Sequence, residues 1–248
     1  MFALTDKNDP FRVLYEPLSK TVIIKNCNYY GWVKSIALGL VADFFEDFLS
    51  EHRRYSIHGS LLDSQGQGIG MIGPSGVGKT TLTYGMLLDN KFNFLTDDWF
   101  FVRLTENEVR GYSAEKNSYI RDDLAQIWTQ FAEKLKNIKK DNRGRSIVDI
   151  KRIFGDERIK QNTVIKAIVL LRRKPGEEVV KKLTSKQAME YMLENDFCNP
   201  HQLIHDGEKY NDRVEFYKEL FTRLPVYLLN TIETPQQSLQ RVKDIINQ

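Results

Sequence analysis

Gly73-Pro74-Ser75-Gly76-Val77-Gly78-Lys79-Thr80 decides the fold of this 248-residue chain. The octet fits the pattern G-x-x-x-x-G-K-[ST] in full. An apolar run, Ile69-Gly70-Met71-Ile72, leads into it, and Thr81-Leu82-Thr83-Tyr84-Gly85-Met86-Leu87 continues it as a helix. Strand, glycine-rich loop and helix in that order make a cradle for phosphate. Glycines let the backbone wrap tightly and turn its N–H groups inward. The helix presents its positive end to the anion. Lys79 is expected to reach the β- and γ-phosphates of a nucleotide, and the Thr80 hydroxyl to ligate Mg²⁺. The expected nucleotide-binding set is Gly73, Pro74, Ser75, Gly76, Val77, Gly78, Lys79, Thr80 and Thr81. The loop alone does not choose among ATPases, GTPases, transporters and kinases.

Outward from the loop, 54–62 reads as a strand, with a turn at Asp63 to Gly66 before the loop's own strand. Residues 93–95 and 99–104 read as strands around Asp97-Asp98. Toward the N-terminus, 12–25 alternates and contains Thr21-Val22-Ile23-Ile24, so it reads as strands. Residues 35–51 read as a helix with Ile36, Leu40, Phe44 and Phe48 on one face, and 121–135 as another, from Leu124, Ile127, Trp128, Phe131 and Leu135. Residues 134–145 are basic and loop-like. Residues 164–171 form a continuous apolar run fit for one buried strand. The rest reads as mostly helical, at 185–193, at 208–221, and after Thr234-Pro235, an N-cap and first helical residue leading to Leu239, Val242 and Ile246. The expected fold is α/β with a central mixed β-sheet. Its expected parts are an N-terminal α+β segment (1–53), a P-loop core (54–175) and a helical C-terminal segment packed on the core (176–248).

Bulk properties narrow the class. Hydrophobic residues make up 41% and charged residues 28%, and 36 basic against 33 acidic side chains leave a net charge of +3. So mixed a surface does not suggest a nucleic-acid partner. Two cysteines, Cys27 and Cys198, imply no disulfide framework. The N-terminus turns polar at once, unlike a signal peptide, and no 18-residue apolar stretch suggests a membrane span. A cytoplasmic location is expected.

Asp97 and Asp98 lie between apolar segments. Adjacent side chains on a strand point to opposite sides, but a bend at a strand end turns both toward one site. One carboxylate then helps hold Mg²⁺ and the other accepts a proton from a hydroxyl, unless both are solvated turn residues. His58 is read from its surroundings alone as either a structural hydrogen-bonder or a site residue.

These residues together resemble a known family. Ser56-Ile57-His58-Gly59-Ser60-Leu61-Leu62-Asp63 is similar to the S-x-H-G-x-x-x-D strand of HPr kinase/phosphorylase. The phosphate loop is similar to that family's GDSGVGKS, with Pro74 and Thr80 as replacements. Phe94-Leu95-Thr96-Asp97-Asp98 resembles its L-x-x-D-D element. Asp141-Asn142-Arg143-Gly144-Arg145-Ser146-Ile147-Val148-Asp149-Ile150-Lys151-Arg152-Ile153-Phe154-Gly155 is similar to its signature E-I-R-G-L-G-I-I-D-V-x-x-L-F-G. The resemblance covers 54–173 and extends more weakly to the nucleotide-binding core of phosphoenolpyruvate carboxykinases. It implies ATP and Mg²⁺, with Mn²⁺ as a substitute. It also implies Asp97 as the carboxylate that deprotonates a serine hydroxyl, Asp98 with Thr80 at the metal, His58 close to that carboxylate, and Arg143 near phosphate. Lys79, Asp97, His58 and Arg143 are the expected catalytic residues.

Departures from the pattern matter too. Family members acting on HPr carry a separate N-terminal domain, whereas 1–53 precede the core here. Asp141 stands for the signature glutamate and Arg145-Ser146 for its L-G, in the element tied to the reverse reaction. The family's C-terminal P-x-R-P-G-R-N segment has no clear counterpart. The Leu224-Pro225-Val226-Tyr227-Leu228-Leu229 ending is similar to HPr-kinase-related proteins beside peptide-modification systems, including kinases of lasso-peptide precursors. The expected function is transfer of the γ-phosphate to a hydroxyl of a protein or peptide serine, other than that of HPr. A small-molecule kinase and a non-catalytic nucleotide sensor are the alternatives. A homo-oligomer stays open.

Three further features invite weaker readings. Cys198, His201, His205 and Asp206 have zinc-like spacing but read as a loop and short helix. The basic 134–140 stretch reads as a solvated face, with attraction of an acidic or phosphorylated substrate as the alternative. A loop placed as 113–119 is could contact substrate, which spacing alone does not show. Tyr29-Tyr30-Gly31-Trp32 reads as packing.

Overall fold

The computed structural model describes residues 2–5, 10–47, 51–115, 117–198, 203 and 206–247. β1 (Phe2–Ala3), β2 (Arg12–Glu16) and β3 (Thr21–Lys25) form a small antiparallel sheet that hands over to α1 (Tyr30–Glu46). β4 (Tyr55–Ser64) and β5 (Gln67–Ile72) make a hairpin, followed by α2 (Lys79–Leu87), β6 (Phe92–Thr96), β7 (Trp99–Leu104), β8 (Val109–Ser113) and β9 (Asn117–Ile120). After α3 (Asp123–Ile127) come β10 (Ser146–Asp149), α4 (Ile150–Phe154) and the long β11 (Asn162–Arg172). The last elements are β12 (Val180–Leu183), α5 (Ser185–Glu194), α6 (Gly207–Arg223), β13 (Val226–Asn230) and α7 (Pro235–Ile246).

The central sheet is mixed, as the sequence leads one to expect. Its order is β12-β13-β11-β5-β4-β7-β8, with β6 also beside β4. β5, β11 and β13 run parallel, and the others pair antiparallel. The first residues of β11 pair with β8 and its last with β13, so the sheet curls until β8 meets β11. Alternation along β11 fills two cores. Ile168 and Leu170 pack with Met192, Phe216 and Leu220 from α5 and α6, while Val169 and Leu171 pack with Leu82, Met86 and Val242 from α2 and α7. Helices thus cover both faces, which is why the apolar run at 164–171 shows no polar alternation.

β4 sets the site. Its first half, Tyr55 to His58, pairs with β7, and its second, Leu61 to Ser64, with β6. Asp97 and Asp98 bridge β6 and β7 at the point where β4 changes neighbour, and Gly59 N donates to Asp98 O at 2.9 Å. A strand end that must cross from one pairing to the next cannot keep its two side chains on opposite faces of a flat sheet.

Several expectations change in the structure. α1 starts at Tyr30 rather than Ser35, and its described part ends at Glu46. The helix expected over 121–135 breaks after Ile127, because Trp128 (φ −118°, ψ 89°) turns its indole beneath α2 and donates to Thr81 O at 2.9 Å. Among the described residues after 175 there are three α-helices, and β12 and β13 join the central sheet. Of the zinc-like group, Cys198 is buried and Asp206 caps α6, accepting from Lys209 N at 2.8 Å; His201 and His205 lie outside the described residues. Among the described residues, no helix is long and apolar enough to cross a membrane.

Candidate active site

The phosphate loop runs from the end of β5 to the start of α2. Gly76 (φ 85°) and Gly78 (φ 103°) take left-handed conformations that a side chain would resist. At Gly73 the need is space, since a Cβ there would sit 2.6 Å from Leu171 O. The loop is pinned from behind by the Thr231 hydroxyl, which donates to Val77 O at 2.8 Å. Lys79 is buried and curls back to donate to Gly73 O and, at 3.1 Å, to Pro74 O. Burial lowers its pKa, against the pull of nearby acidic groups that include Asp98 and Asp97. A cradle of left-handed glycines, a helix start and a captive lysine fits a nucleotide's phosphates.

Asp97 and Asp98 have different surroundings. Asp97 is buried and accepts from the Ser118 hydroxyl at 3.1 Å. The buried Tyr84 stands beside it. Burial above all, and then the neighbouring Asp98 charge, push the Asp97 carboxyl up to about 6. Asp98 is held low instead: burial works to raise it, but Lys34, His58 and Lys79 more than offset that. Lys34 Nζ lies 2.7 Å from Asp98 Oδ2, and His58 Nε2 lies 3.7 Å from Oδ1. Lys34 also pairs with Glu115, a carboxyl whose burial raises its pKa.

One cavity of about 550 Å³ joins these groups. His58, Ser75, Gly76, Gly78, Lys79, Thr80, Thr81, Asp97, Asp98 and Arg143 all border it, while Gly73, Pro74 and Val77 form the loop's back and do not. Arg143 sits at the rim, exposed, with its guanidinium 4.1 Å from the centre of the Tyr29 ring. Asp63 points elsewhere: it accepts from Thr163 Oγ1 at 2.6 Å and fixes the β4–β5 turn. Among the described residues no group of three or more His, Cys, Asp or Glu side chains could hold a metal by itself. Thr80 and Asp98 supply two oxygen donors, which suits a cation that completes its shell with phosphate oxygens and water.

Sequence spacing misses other residues on this cavity. Lys34, 64 positions before Asp98, reaches it from α1; Arg121 and Arg145 arrive on the β9–β10 ribbon; Arg173 follows β11. No local motif marks Lys34, Arg121 or Arg173, and the signature has no arginine at the position of Arg145; three separate elements deliver them. Of the 29–32 aromatics, expected to be packing, Tyr29 is half-buried against Arg143 and Arg145, whereas Tyr30 is 55% and Trp32 48% exposed. The N-terminal turn of α1 lies at the cavity mouth, which leaves Tyr30 and Trp32 facing outward.

The family model of the HPr serine kinase C-terminal domain matches residues 49–218. The chain belongs to this family. The HPr kinase/phosphorylase of Chlorobium luteolum is 30% identical over 135 residues, covering 54% of this chain and 35% of that protein. That of Leptothrix cholodnii is 26% identical over 211 residues, covering 84% and 58%. The chain therefore spans about a third of the first relative's length. A solved structure titled the Hpr(Ser) kinase/phosphatase from Coxiella burnetii is similar over 77% of this chain and 95% of that one, with 15% identity and a TM-score of 0.43. The HPr kinase family match takes in the phosphate loop, His58, both aspartates and Arg143. It leaves out α1, β13 and α7, and with them Lys34 and Thr231.

Proposed function

We propose that this HPr kinase-like chain uses ATP and Mg²⁺ to phosphorylate a hydroxyl, that of a serine in a protein or peptide. The observation that carries the reading is Asp97, a buried carboxyl pushed up to about 6 on the same cavity as Lys79 and Thr80. A group of that pKa is ionised near neutrality yet basic enough to take a hydroxyl proton.

The residues divide the work by environment. The loop's N–H groups and Lys79 hold the triphosphate. Thr80 and the strongly anionic Asp98 would hold Mg²⁺, which supplies charge neutralisation on the phosphate oxygens when bound. His58 and Lys34 keep Asp98 ionised and in place. Asp97, oriented by Ser118, receives the proton of the acceptor hydroxyl as its oxygen bonds to the γ-phosphorus and the bond to ADP breaks. Arg143 faces the same space from the rim. Use of ATP fits a cytoplasmic workplace.

Incubation with ATP, Mg²⁺ and a panel of serine peptides and small alcohols tests the reading. A mass increase of one phosphoryl group on a serine peptide is expected. Phosphorylation of the small alcohols alone would refute the peptide acceptor, and ATP binding with no transfer to anything would refute the kinase.

A further inference from the structure

Arg143 is the outermost rung of a ladder that begins at Asp98. Lys34 contacts Asp98 and lies 4.8 Å from the centre of the Tyr119 ring. The Arg145 guanidinium lies 5.2 Å from the Tyr119 ring centre and 5.7 Å from that of Tyr29. Arg143 covers the Tyr29 ring at 4.1 Å. Cation, ring, cation, ring and cation thus run from the acidic pair to the cavity mouth. Aromatic faces hold cations in position without cancelling their charge.

The charges along this ladder are not balanced. Lys34 is answered by Asp98 and Glu115, and Arg145 by Asp141. Among the described residues, Arg143 has no carboxylate within ion-pair distance. Neither has Arg121, which follows β9 at the end of the ribbon where Arg145 precedes β10, and which borders the same cavity. Two exposed guanidiniums, one fixed by stacking, offer forked donors to a planar anion. Past them a second hollow of about 420 Å³ shares Tyr29, Trp32 and Arg143 with the main cavity and continues over Phe11 and Asn28. The Trp32 ring lies 6.1 Å from that of Phe11, tilted against it, yet Trp32 keeps 48% of its surface exposed. A peptide strand anchored at the arginines would have this aromatic hollow to continue along, which a small molecule would not need.

Resting on the kinase reading above, we propose that Arg121 and Arg143, with Tyr29 and Trp32 of the α1 start, form an acceptor subsite for a peptide carrying an acidic residue beside its serine. Tyr29 and Trp32 lie outside the stretch that matches the family model, so the subsite combines the family core with the segment before it. The carboxylate would anchor on the arginines, the flanking chain would lie along Trp32, and the serine hydroxyl would be directed inward to Asp97.

The test uses the full chain, ATP, Mg²⁺ and three peptides that differ only in the residues beside one serine: Asp, Ala or Lys. Wild type should phosphorylate the Asp peptide with kcat/KM about tenfold or more above the Ala peptide, through a lower KM, and the Lys peptide least. Arg121→Glu should reverse the Asp-over-Lys order. Trp32→Ala should raise KM for all three alike. Equal rates of wild type on the three peptides would overturn the acidic subsite and leave the kinase standing. Small hydroxy acids preferred over the Asp peptide would overturn the peptide commitment. No phosphorylated peptide despite ATP binding would overturn the kinase reading, and the subsite with it. The wild-type ratios decide even where a variant fails to fold.

Discussion

Asp97 and Asp98 are adjacent in the chain, yet burial governs one and positive neighbours the other. Asp97 ionises near 6 rather than at the ordinary 3.8, so between those values the folded chain binds a proton that the unfolded chain has released. As far as this group goes, stability rises as pH falls from about 6 toward 3.8, and above pH 6 the buried charge costs on the order of 3 kcal/mol. Asp97→Asn should therefore raise the melting temperature at pH 7, by about 1–3 kcal/mol of stability, with the gain shrinking at pH 5. Thermal denaturation at the two pH values checks this, and a drop in stability at pH 7 would contradict it. Activity has the opposite slope. Acceptance of a proton needs ionised Asp97, so kcat/KM should fall about tenfold per unit below pH 6. At this scale the sequence shows that two carboxylates are present, and the resemblance proposes their roles. It does not show their environments, because Lys34 and Ser118 reach the pair only through the fold.

At the scale of elements, the strand–loop–helix unit is readable because its chemistry is local. Gly73, Gly76 and Gly78 sit where backbone geometry or space demands them. Gly73→Ala should push the loop against Leu171 O and weaken ATP binding by about 1–3 kcal/mol, read by calorimetric titration. Gly66→Ala is the contrast. Its φ is 83° but no atom lies within 4 Å of the added Cβ, so it should cost about 1–2 kcal/mol of stability and leave ATP affinity alone. The expected 121–135 helix shows where local spacing stops being informative. Leu124, Ile127, Trp128 and Phe131 have helical intervals, but a hydrogen bond from the indole to Thr81 O and the room left by Gly85 draw Trp128 out of register. A contact across 47 positions outweighs the periodicity of one turn.

Across the whole molecule, the N-terminal segment, the sheet and the C-terminal helices meet at one buried arginine. Arg213 of α6 is 1% exposed; it donates to Ser56 O at 3.0 Å and Ser56 Oγ at 2.6 Å in β4, and to Glu46 Oε1 at 2.8 Å in α1. Arg213→Met would leave Glu46 buried without its cation and should cost about 3–5 kcal/mol. Urea unfolding should show a lower midpoint at unchanged slope. The mixed sheet and its flanking helices follow from the loop and the apolar runs. The insertion of β13 between β11 and β12 does not, since Val226-Tyr227-Leu228-Leu229 is too short a run to separate a buried strand from a helix lead-in.

The most direct measurement compares wild type and Asp97→Asn for γ-phosphate transfer to a serine peptide, with ATP binding measured on the same preparations. Wild type should yield phosphoserine, and the variant should bind ATP within about threefold of wild type while transfer falls by about a hundredfold or more. Undiminished transfer by Asp97→Asn would contradict the assignment of Asp97 as the proton acceptor, and with it the mechanism built on the buried carboxylate.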